Sequence, residues 1–407
     1  MSRPQETTPL LPSTNGSNGH ATHQEPSYLD SAKFFFLGSW FNVLLVFVPL
    51  SLLAEYLGFD GGKRFCFSFL AIMPLAKLLG VSTDQISLKL GDIQAGLLNA
   101  SFGNAVEIIV GIVALLQGQY VIVQTSMLGS VLSNILLVLG CSFFAAGLKR
   151  PVSKFAATSA QTSSSMMILS CITLIIPAAY YHLHVSEDTG ATGGLTQWAA
   201  DRVTPFIDPA TADALNFISR GTAILMLVVY VAYICYLLFA PSEEPEQAPR
   251  EQEAPEMNAI AAAIGLLATT VVTSFCADVL VGSIEEFADT YHVPRSFIGL
   301  ILLPIVANAA EHVTAVWMAM DDRMEMTLTI CVGSSIQITT FVIPLLVVIG
   351  WVTDHPLTLF FPSFETIVLF IAMVLVSQLL QDGKSNIMEG MMLVTTYSVV
   401  AISAWVQ

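Results

Sequence analysis

Long apolar stretches recur along this chain from residue 34 to its end, and they constrain its fold more than any other feature. Each is about 20 residues long, the length that an α-helix needs to cross the hydrocarbon core of a bilayer. The runs are continuous and do not alternate with polar residues, as the strands of a membrane barrel would. The stretches lie at 34–57, 65–81, 92–118, 120–147, 158–183, 215–240, 257–284, 296–320, 325–351, 356–380 and 386–406. We therefore expect an all-α membrane protein with eleven transmembrane helices.

The composition indicates that lipid is the solvent for most of the chain. Of the 407 residues, 54% are hydrophobic and 11% are charged, whereas soluble proteins average about 25% charged residues. The net charge of −16 argues against nucleic acid as a partner, because phosphate binding requires clustered Lys and Arg. The excess of acidic residues, 31 against 15 basic ones, suits a protein that handles cations.

The chain divides into five parts. Residues 1–32 are polar and rich in Pro, Ser, Thr and Gly, which predicts a disordered cytosolic tail. The first transmembrane helix, within 33–62, stands before two repeats of five helices each, at 63–240 and 257–407. An acidic cytosolic linker, 241–256, joins the two repeats.

The linker has two interpretations. A run of charge between apolar segments is typically a solvated connection with no further role. The alternative is a regulatory calcium-binding segment, because Ca²⁺ prefers carboxylate oxygens. Its candidate ligands are Glu243, Glu244 and Glu246.

The basic residues predict the orientation of the bundle. If the N-terminus is cytosolic, ten Lys and Arg residues lie on the cytosolic side and five on the other. Lys and Arg resist translocation, so this distribution favours a cytosolic N-terminus and a C-terminus in an organelle lumen or outside the cell. In the tail, Glu6 followed by Leu10 and Leu11 resembles an acidic dileucine sorting signal. We therefore expect a multi-pass protein in the membrane of the vacuole or of a lysosome-like organelle.

Two passages of the sequence are related by a fixed offset of 204 positions. Five helices per repeat is an odd number, so the second repeat enters the membrane from the opposite side. Inverted repeats of this kind place their binding sites near the midplane, at the interface between the repeats. The corresponding pairs are Asn104-Ala-Val-Glu107 with Asn308-Ala-Ala-Glu311, and Gly129-Ser130 with Gly333-Ser334.

Glu107 and Glu311 lie near the middle of their predicted spans, where an ionised carboxylate is costly and functional by default. The alternative, a protonated glutamate with a structural role, would have to occur twice. The polar residues around them suit a hard cation, which takes oxygen ligands. The candidate metal ligands are Glu107, Glu311, Asn104, Asn308, Gly103, Ser130, Ser334 and Gln337.

Two further patterns surround these carboxylates. Gly103 and Pro304 precede the two asparagines, and we expect the helices to unwind there and free backbone carbonyls. Ser126, Ser130 and Asn134 recur at a spacing of four on the next helix. Small polar residues also pack between membrane helices without binding anything, which is the alternative for this second pattern.

This set of groups fits calcium and protons together. Ca²⁺ takes about six to eight oxygens, although Na⁺ and Mg²⁺ also bind ligands of this type. Burial favours the protonated form of a glutamate, and a second carboxylate nearby favours it further. Calcium and protons would therefore compete for Glu107 and Glu311, and such competition is what exchange requires. His312 is a further candidate for proton coupling, although it points to a different helix face from Glu311.

Further acidic residues lie near predicted helix ends. Glu285, Glu286 and Asp289 would lie at the lumenal end of the seventh span, and Asp84 at the cytosolic end of the second. Such clusters concentrate cations at the mouth of a pathway. The alternative is that they are ordinary solvated helix ends.

The repeated motifs resemble those of the cation/proton exchanger family, the calcium/proton branch of the calcium/cation antiporter superfamily. The resemblance covers residues 34–407 and implies an eleven-helix antiporter similar to the fungal vacuolar members. It implies Ca²⁺ and H⁺ as substrates, with Mn²⁺ as a further one, and no resident cofactor. It also implies that Glu107 and Glu311 are calcium ligands, assisted by Asn308, Ser334 and Gln337. The segments that carry it are Gly103–Glu107, Gly129–Asn134, Asn308–His312, Gly333–Gln337 and Asp382–Asn386 with Glu389-Gly390.

Three other classes of protein would show different patterns. A sodium/calcium exchanger would share the inverted design but would carry additional Ser, Thr and Asp ligands for sodium. A cation channel would show a re-entrant filter and subunit symmetry, whereas this chain has an internal duplication. An intramembrane enzyme would carry paired Asp residues or a nucleophile motif in a span, and the predicted spans contain neither, so we expect no enzymatic activity.

Overall fold

The computed structural model describes residues 26–189, 209–239, 255–361 and 363–406. Within these ranges the chain is almost entirely helical. The helices are α1 (Tyr28–Leu37), α2 (Phe47–Tyr56), α3 (Gly61–Ser87), α4 (Asp92–Phe102), α5 (Ala105–Leu116), α6 (Tyr120–Leu132), α7 (Leu139–Lys149), α8 (Ala157–Thr189), α9 (Pro209–Phe239), α10 (Ala259–Gly282), α11 (Ile284–Tyr291), α12 (Arg295–Phe297), α13 (Leu303–Ala307), α14 (Ala309–Met320), α15 (Met324–Leu328), α16 (Ser334–Gln337), α17 (Ile343–Val352), α18 (Ser363–Leu380) and α19 (Ile387–Val406).

Several helices continue into one another through turns of different pitch. A 3₁₀ segment precedes α2, and π-helical turns interrupt the long helices of both halves. π-Helical turns occur frequently at functional sites. The segments are the 3₁₀ segment Trp40–Val46 and the π-helical turns Ser133–Val138, Ile298–Leu302, Thr329–Gly333 and Ile338–Val342.

The described helices include many that could cross a membrane. Seven are long and apolar enough by length and composition, and two bent pairs raise this number to nine. The first pair, Tyr28–Leu37 with Trp40–Tyr56, is bent by 84°, and the second, Arg295–Ala307 with Ala309–Met320, by 58°. These findings confirm an all-α membrane protein, whereas a total of eleven spans remains a prediction.

The two ends of the helices define two faces of the bundle. At one end, the amides of Glu256 and Met257 donate to Gln85 Oε1, and α1 and the start of α4 lie at this same end. We name this end the N-terminal face. At the other end, Arg64 pairs with Glu286, and we name this end the opposite face.

A short strand pair and a capped helix organise the C-terminal part. β1 (Ser153–Lys154) pairs antiparallel with β2 (Lys384–Ser385). Asn386 then caps α19, because its Oδ1 atom accepts the backbone amide of Glu389 and the Glu389 carboxylate accepts the backbone amide of Asn386 in return. This reciprocal arrangement is a capping box. A Cβ atom at Gly390 would overlap the backbone of α7, so the motif of residues 382–390 has a structural role at the contact between α7 and α19.

The two halves share their helix boundaries at the offset found in the sequence. Both ends of α5 lie 204 positions before the corresponding ends of α14. The helices α6 and α15 begin at Tyr120 and Met324, and α7 and α17 begin at Leu139 and Ile343. One buried apolar core includes residues of both halves.

Candidate cation-binding site

Both helices that carry the repeated motif break at its asparagine. In the first half, Gly103 and Asn104 separate α4 from α5. In the second half, Asn308 separates α13 from α14, and the two arms are bent by 58°. The prediction that the helices unwind near these asparagines agrees with the structure, although Pro304 itself lies inside α13. A break in the middle of a span frees backbone groups to face a bound ion.

The two carboxylates lie just after these breaks, in the first turns of α5 and α14. A helix N-terminus carries partial positive charge, which stabilises an anionic side chain. Glu107 is 4% exposed, whereas Glu311 is partly exposed. Glu107 and Glu311 interact electrostatically across the interface between the halves. The structure therefore brings together the two glutamates that the repeat identifies.

The asparagine amides use their nitrogen atoms to join the two halves. Asn104 Nδ2 donates to Gln337 Oε1 at 2.5 Å, and Asn308 Nδ2 donates to the backbone oxygen of Ser130 at 3.2 Å. Both asparagines are 1% exposed. Their Oδ1 atoms accept no hydrogen bond from any residue that the structure describes. Each amide thus presents a free oxygen to the site.

Two more polar side chains complete this region. Ser334 Oγ donates to Glu311 Oε1 at 3.1 Å, and Asn134 lies beside Glu311. Asn134 is fully buried in the π-helical turn that follows α6. It was not among the predicted ligands, although its spacing of four from Ser130 is the signal that could have identified it.

The free oxygens are the feature that indicates a cation. Buried polar atoms in proteins almost always have a partner, because leaving one unpaired is costly. Hard cations such as Ca²⁺ take ligands of this type, at about 2.3–2.6 Å. Over the described ranges, the buried oxygens without a hydrogen-bond partner in this region are Asn104 Oδ1, Glu107 Oε1, Asn134 Oδ1, Asn308 Oδ1 and Glu311 Oε2.

The remaining predicted residues near the site have less direct roles. Ser130 lines a cavity together with Glu107 and Pro304. Gly103 is exposed at the end of α4. His312 is half-buried, and its ring makes no hydrogen bond or ion pair with another described residue. Groups of three or more His, Cys, Asp or Glu side chains suited to a metal are absent from the described residues.

The acidic residues at the helix ends have different surroundings. Glu286 pairs with Arg64 at 2.7 Å and accepts the backbone amide of Gly61. Glu285 and Asp289 both pair with Arg295, at 3.2 and 3.9 Å. These pairs lie on the opposite face and are partly solvated, which favours the interpretation as ordinary helix ends.

The other predicted acidic residues, Asp84 and those of the linker, do not belong to the ion pairs on the opposite face. Asp84 lies in the last turn of α3, at the N-terminal face. Residues 28–32 of the predicted disordered tail instead belong to α1, and its residues 1–25 lie outside the described residues. The linker candidates Glu243, Glu244 and Glu246 also lie outside them. Their roles in attracting or sensing calcium remain predictions.

Most of this chain matches one known protein family. The family described as "Sodium/calcium exchanger protein" matches residues 64–239 and 261–406. The chain belongs to this family. The family resemblance predicted from the repeated motifs is therefore confirmed.

Relatives in this family have names that describe calcium transport. The vacuolar calcium ion transporter of Schizosaccharomyces pombe is 39% identical over 405 residues, which cover 98% of this chain and 92% of the relative. The Ca²⁺/H⁺ antiporter of Synechocystis is 36% identical over 365 residues, which cover 89% of this chain and 96% of the relative.

Solved structures show the same fold. The structure of the Ca²⁺/H⁺ antiporter YfkE has a TM-score of 0.73 and 29% identity, and the alignment covers 90% of this chain and 99% of that chain. The H⁺/Ca²⁺ exchanger CAX has a TM-score of 0.62 and 13% identity, and it covers 90% of this chain and 91% of that chain. At that identity, the second similarity concerns the fold alone.

Proposed function

We propose that this protein is a secondary active antiporter that exchanges Ca²⁺ for H⁺ across the vacuolar membrane and so removes Ca²⁺ from the cytosol. The observation that carries this proposal is the set of buried, unpartnered oxygens around Glu107 and Glu311. The vacuolar and calcium/proton relatives at 36–39% identity support the same substrates. Mn²⁺ is a further substrate to test, because it accepts the same oxygen ligands.

Competition for the two carboxylates explains the coupling. When both are ionised, they provide two negative charges to Ca²⁺, and the amide oxygens of Asn104 and Asn308 complete part of its shell. When Ca²⁺ leaves, two buried charges would face each other, and this arrangement favours protonation. Protons then neutralise the two carboxylates, and the protein returns to the conformation that faces the first side of the membrane. A site that holds either Ca²⁺ or protons, but not both together, exchanges one for the other.

The polar partners adjust this balance. The Ser334 hydroxyl donates to Glu311, and both carboxylates lie in the first turn of a helix, where the partial positive charge of the N-terminus favours an anion. Both effects stabilise the ionised carboxylates. Neither supplies a full positive charge, whereas an arginine would neutralise the carboxylate. The carboxylates therefore remain able to bind calcium and to accept protons.

The proposed topology has eleven spans in an inverted arrangement. The seven long helices, the two bent pairs and the two shorter apolar helices make up eleven apolar segments among the described residues. The shared helix boundaries at an offset of 204 support two repeats of five spans each, after a first span. In this arrangement the N-terminal face is cytosolic, residues 241–256 form a cytosolic linker, and the C-terminus is lumenal.

The direct test is transport by the purified, full-length chain in sealed vesicles. We expect 45-calcium uptake to follow an imposed pH gradient, to raise the pH of the vesicle lumen when that lumen starts acidic, and to ignore a sodium gradient. Uptake driven by sodium alone would assign the chain to sodium/calcium exchange. Passive equilibration without proton movement would contradict an antiporter. Competition of Mn²⁺ with 45-calcium would test the second substrate.

A further inference from the structure

The two halves differ in how tightly they close around the site. On the opposite-face side, α6 packs against the segment Arg295–Ala307 of the second half. A Cβ atom at Gly129 would overlap the backbone oxygen of Leu300 and lie 2.6 Å from Pro304 Cγ. A Cβ atom at Gly299 would overlap the Thr125 hydroxyl. Only glycine permits these helices to approach so closely.

The corresponding contact on the N-terminal side is open. Gly333 lies 204 positions after Gly129, but among the described side chains and backbone the nearest atom to a Cβ at this position is Thr329 Cγ2, 4.0 Å away and one turn back in the same helix. Thr125 is 1% exposed, whereas Thr329, its counterpart, is exposed. No contact with a described residue requires a glycine at position 333 in this conformation. Because glycine weakens a helix relative to alanine, its presence there calls for another explanation.

The asparagine hydrogen bonds show the same difference. Asn308 reaches the backbone of the facing helix, at Ser130. By the offset, Asn104 would reach the backbone of Ser334, but it instead bonds to the longer side chain of Gln337. The helix of Ser334 therefore lies farther from its partner. Glu311 is partly exposed, whereas Glu107, its counterpart, is 4% exposed. These differences between the halves are the ones expected of a site that is open toward the N-terminal face.

We propose that Gly333 is a positioning residue for transport, because α4 packs against it when the site closes toward the N-terminal face. This inference rests on the proposed exchange by alternating access. In that second state, α4 would occupy the position relative to Gly333 that Arg295–Ala307 now occupies relative to Gly129. The residues of α4 at the matching positions are Ala95, Gly96 and Ala100. They are small, as such a close contact requires.

Gly129 and Gly333 are therefore a matched pair, each needed in one of two states. A side chain at position 129 disfavours the state seen here and exposes the site toward the opposite face. A side chain at position 333 disfavours the other state and holds the site open to the N-terminal face. If both glycines had only a general packing role, equivalent substitutions at the two positions would not change the accessibility of the site in opposite directions.

The test uses two reporter cysteines in full-length protein whose six natural cysteines are replaced. Thr329→Cys reports exposure toward the N-terminal face, and Thr125→Cys reports exposure toward the opposite face. An impermeant thiol reagent is applied from each side of sealed vesicles. The variants are Gly129→Ala, Gly333→Ala and Gly333→Val, and thermal unfolding verifies that each is folded.

We expect Gly333→Val to keep Thr329→Cys reactive, to suppress labelling of Thr125→Cys, and to slow calcium uptake at least about tenfold. Equilibrium 45-calcium binding from the N-terminal face should be retained. Gly333→Ala should act in the same direction but less strongly. Gly129→Ala should do the reverse, raising labelling of Thr125→Cys and lowering that of Thr329→Cys.

Two outcomes would overturn the inference: natural transport rates in Gly333→Val, or shifts of labelling in the same direction for both glycine positions. If Gly333→Val fails to fold, the labelling of Gly333→Ala decides by the same criterion. The labelling does not depend on which ion drives transport. Sodium-driven uptake would therefore refute the proposed proton coupling while the mirrored labelling still supported the role of Gly333.

Discussion

Two groups of acidic side chains in this protein differ in the partners that surround them. On the opposite face, Glu285 and Glu286 are each paired with an arginine and stay partly solvated. At the centre, Glu107 and Glu311 follow the buried asparagines of the repeated motif, whose side-chain nitrogen atoms already bond to other groups. The first group is neutralised by the protein itself. The second has no basic partner among the described residues, so under the proposed function its carboxylates and the unpaired oxygens around them are available to a cation. In this proposal, surroundings rather than acidity separate a binding site from an ion pair.

The largest expected effect comes from removing either central charge. Glu107→Gln and Glu311→Gln keep the shape of the site but remove the group for which Ca²⁺ and protons compete. We expect calcium uptake driven by a pH gradient to fall at least about 100-fold in each variant, since loss of a charged ligand in a buried site costs several kcal/mol. Glu285→Gln is the matched control, and its uptake should stay within about twofold of the natural chain. Equal losses in all three variants would remove the distinction between the two groups.

The next effect concerns the amide oxygens. Asn308→Ala removes a free Oδ1 atom and the bond to the backbone of Ser130. We expect the calcium concentration for half-maximal uptake to rise about tenfold, because one such interaction contributes about 1–3 kcal/mol. Ser335→Ala serves as the control, since its hydroxyl donates to its own helix at Cys331. A loss in the control equal to that in Asn308→Ala would show that the effect reflects packing.

A third prediction uses pH to sharpen the comparison. Protons and Ca²⁺ compete for the central carboxylates, so apparent calcium affinity should fall as the pH on the side of binding falls. The dependence should become about half as steep in equilibrium 45-calcium binding to Glu311→Gln, because Glu107 alone is left for protons and Ca²⁺ to compete for, measured at concentrations high enough to detect residual binding. The same pH series on Glu286→Gln should match that of the natural chain. A pH dependence in Glu311→Gln as steep as that of the natural chain would place the titrating group elsewhere.

The smallest effect is expected at the opposite face. Exposed ion pairs contribute about 1 kcal/mol or less to stability, and the Arg64 and Glu286 side chains are 21% and 48% exposed. A double-mutant cycle with Arg64→Gln and Glu286→Gln, followed by thermal unfolding, should give a coupling free energy within that limit. A much larger coupling would mean that this pair clamps the two halves together.

Local sequence patterns were sufficient to predict several features of this protein. The apolar stretches predicted the helical membrane fold, and the offset of 204 positions identified Glu107 and Glu311 as a related pair. The helix breaks at Asn104 and Asn308 were expected because glycine and proline precede them. Each of these features is determined within a few residues or by direct comparison of the two motifs.

Other features depend on contacts between distant segments. Arg64 lies 222 positions from Glu286, its partner, and no local pattern predicts that pairing. The spacing of four from Ser130 marks Asn134 in the sequence, but its position beside Glu311 depends on how the helices of the two halves pack. The difference between Gly129 and Gly333 is a property of the conformation, since the two motifs are alike in sequence.

The most direct test of the central claim is proton release on calcium binding. Purified full-length protein in weakly buffered detergent solution would be titrated with Ca²⁺ while a pH indicator and 45-calcium binding are followed together. A shared site predicts that protons are released in proportion to bound Ca²⁺, and that both signals are lost in Glu107→Gln and in Glu311→Gln. Calcium binding without proton release, or release that persists in both variants, would contradict a single site that holds either cargo.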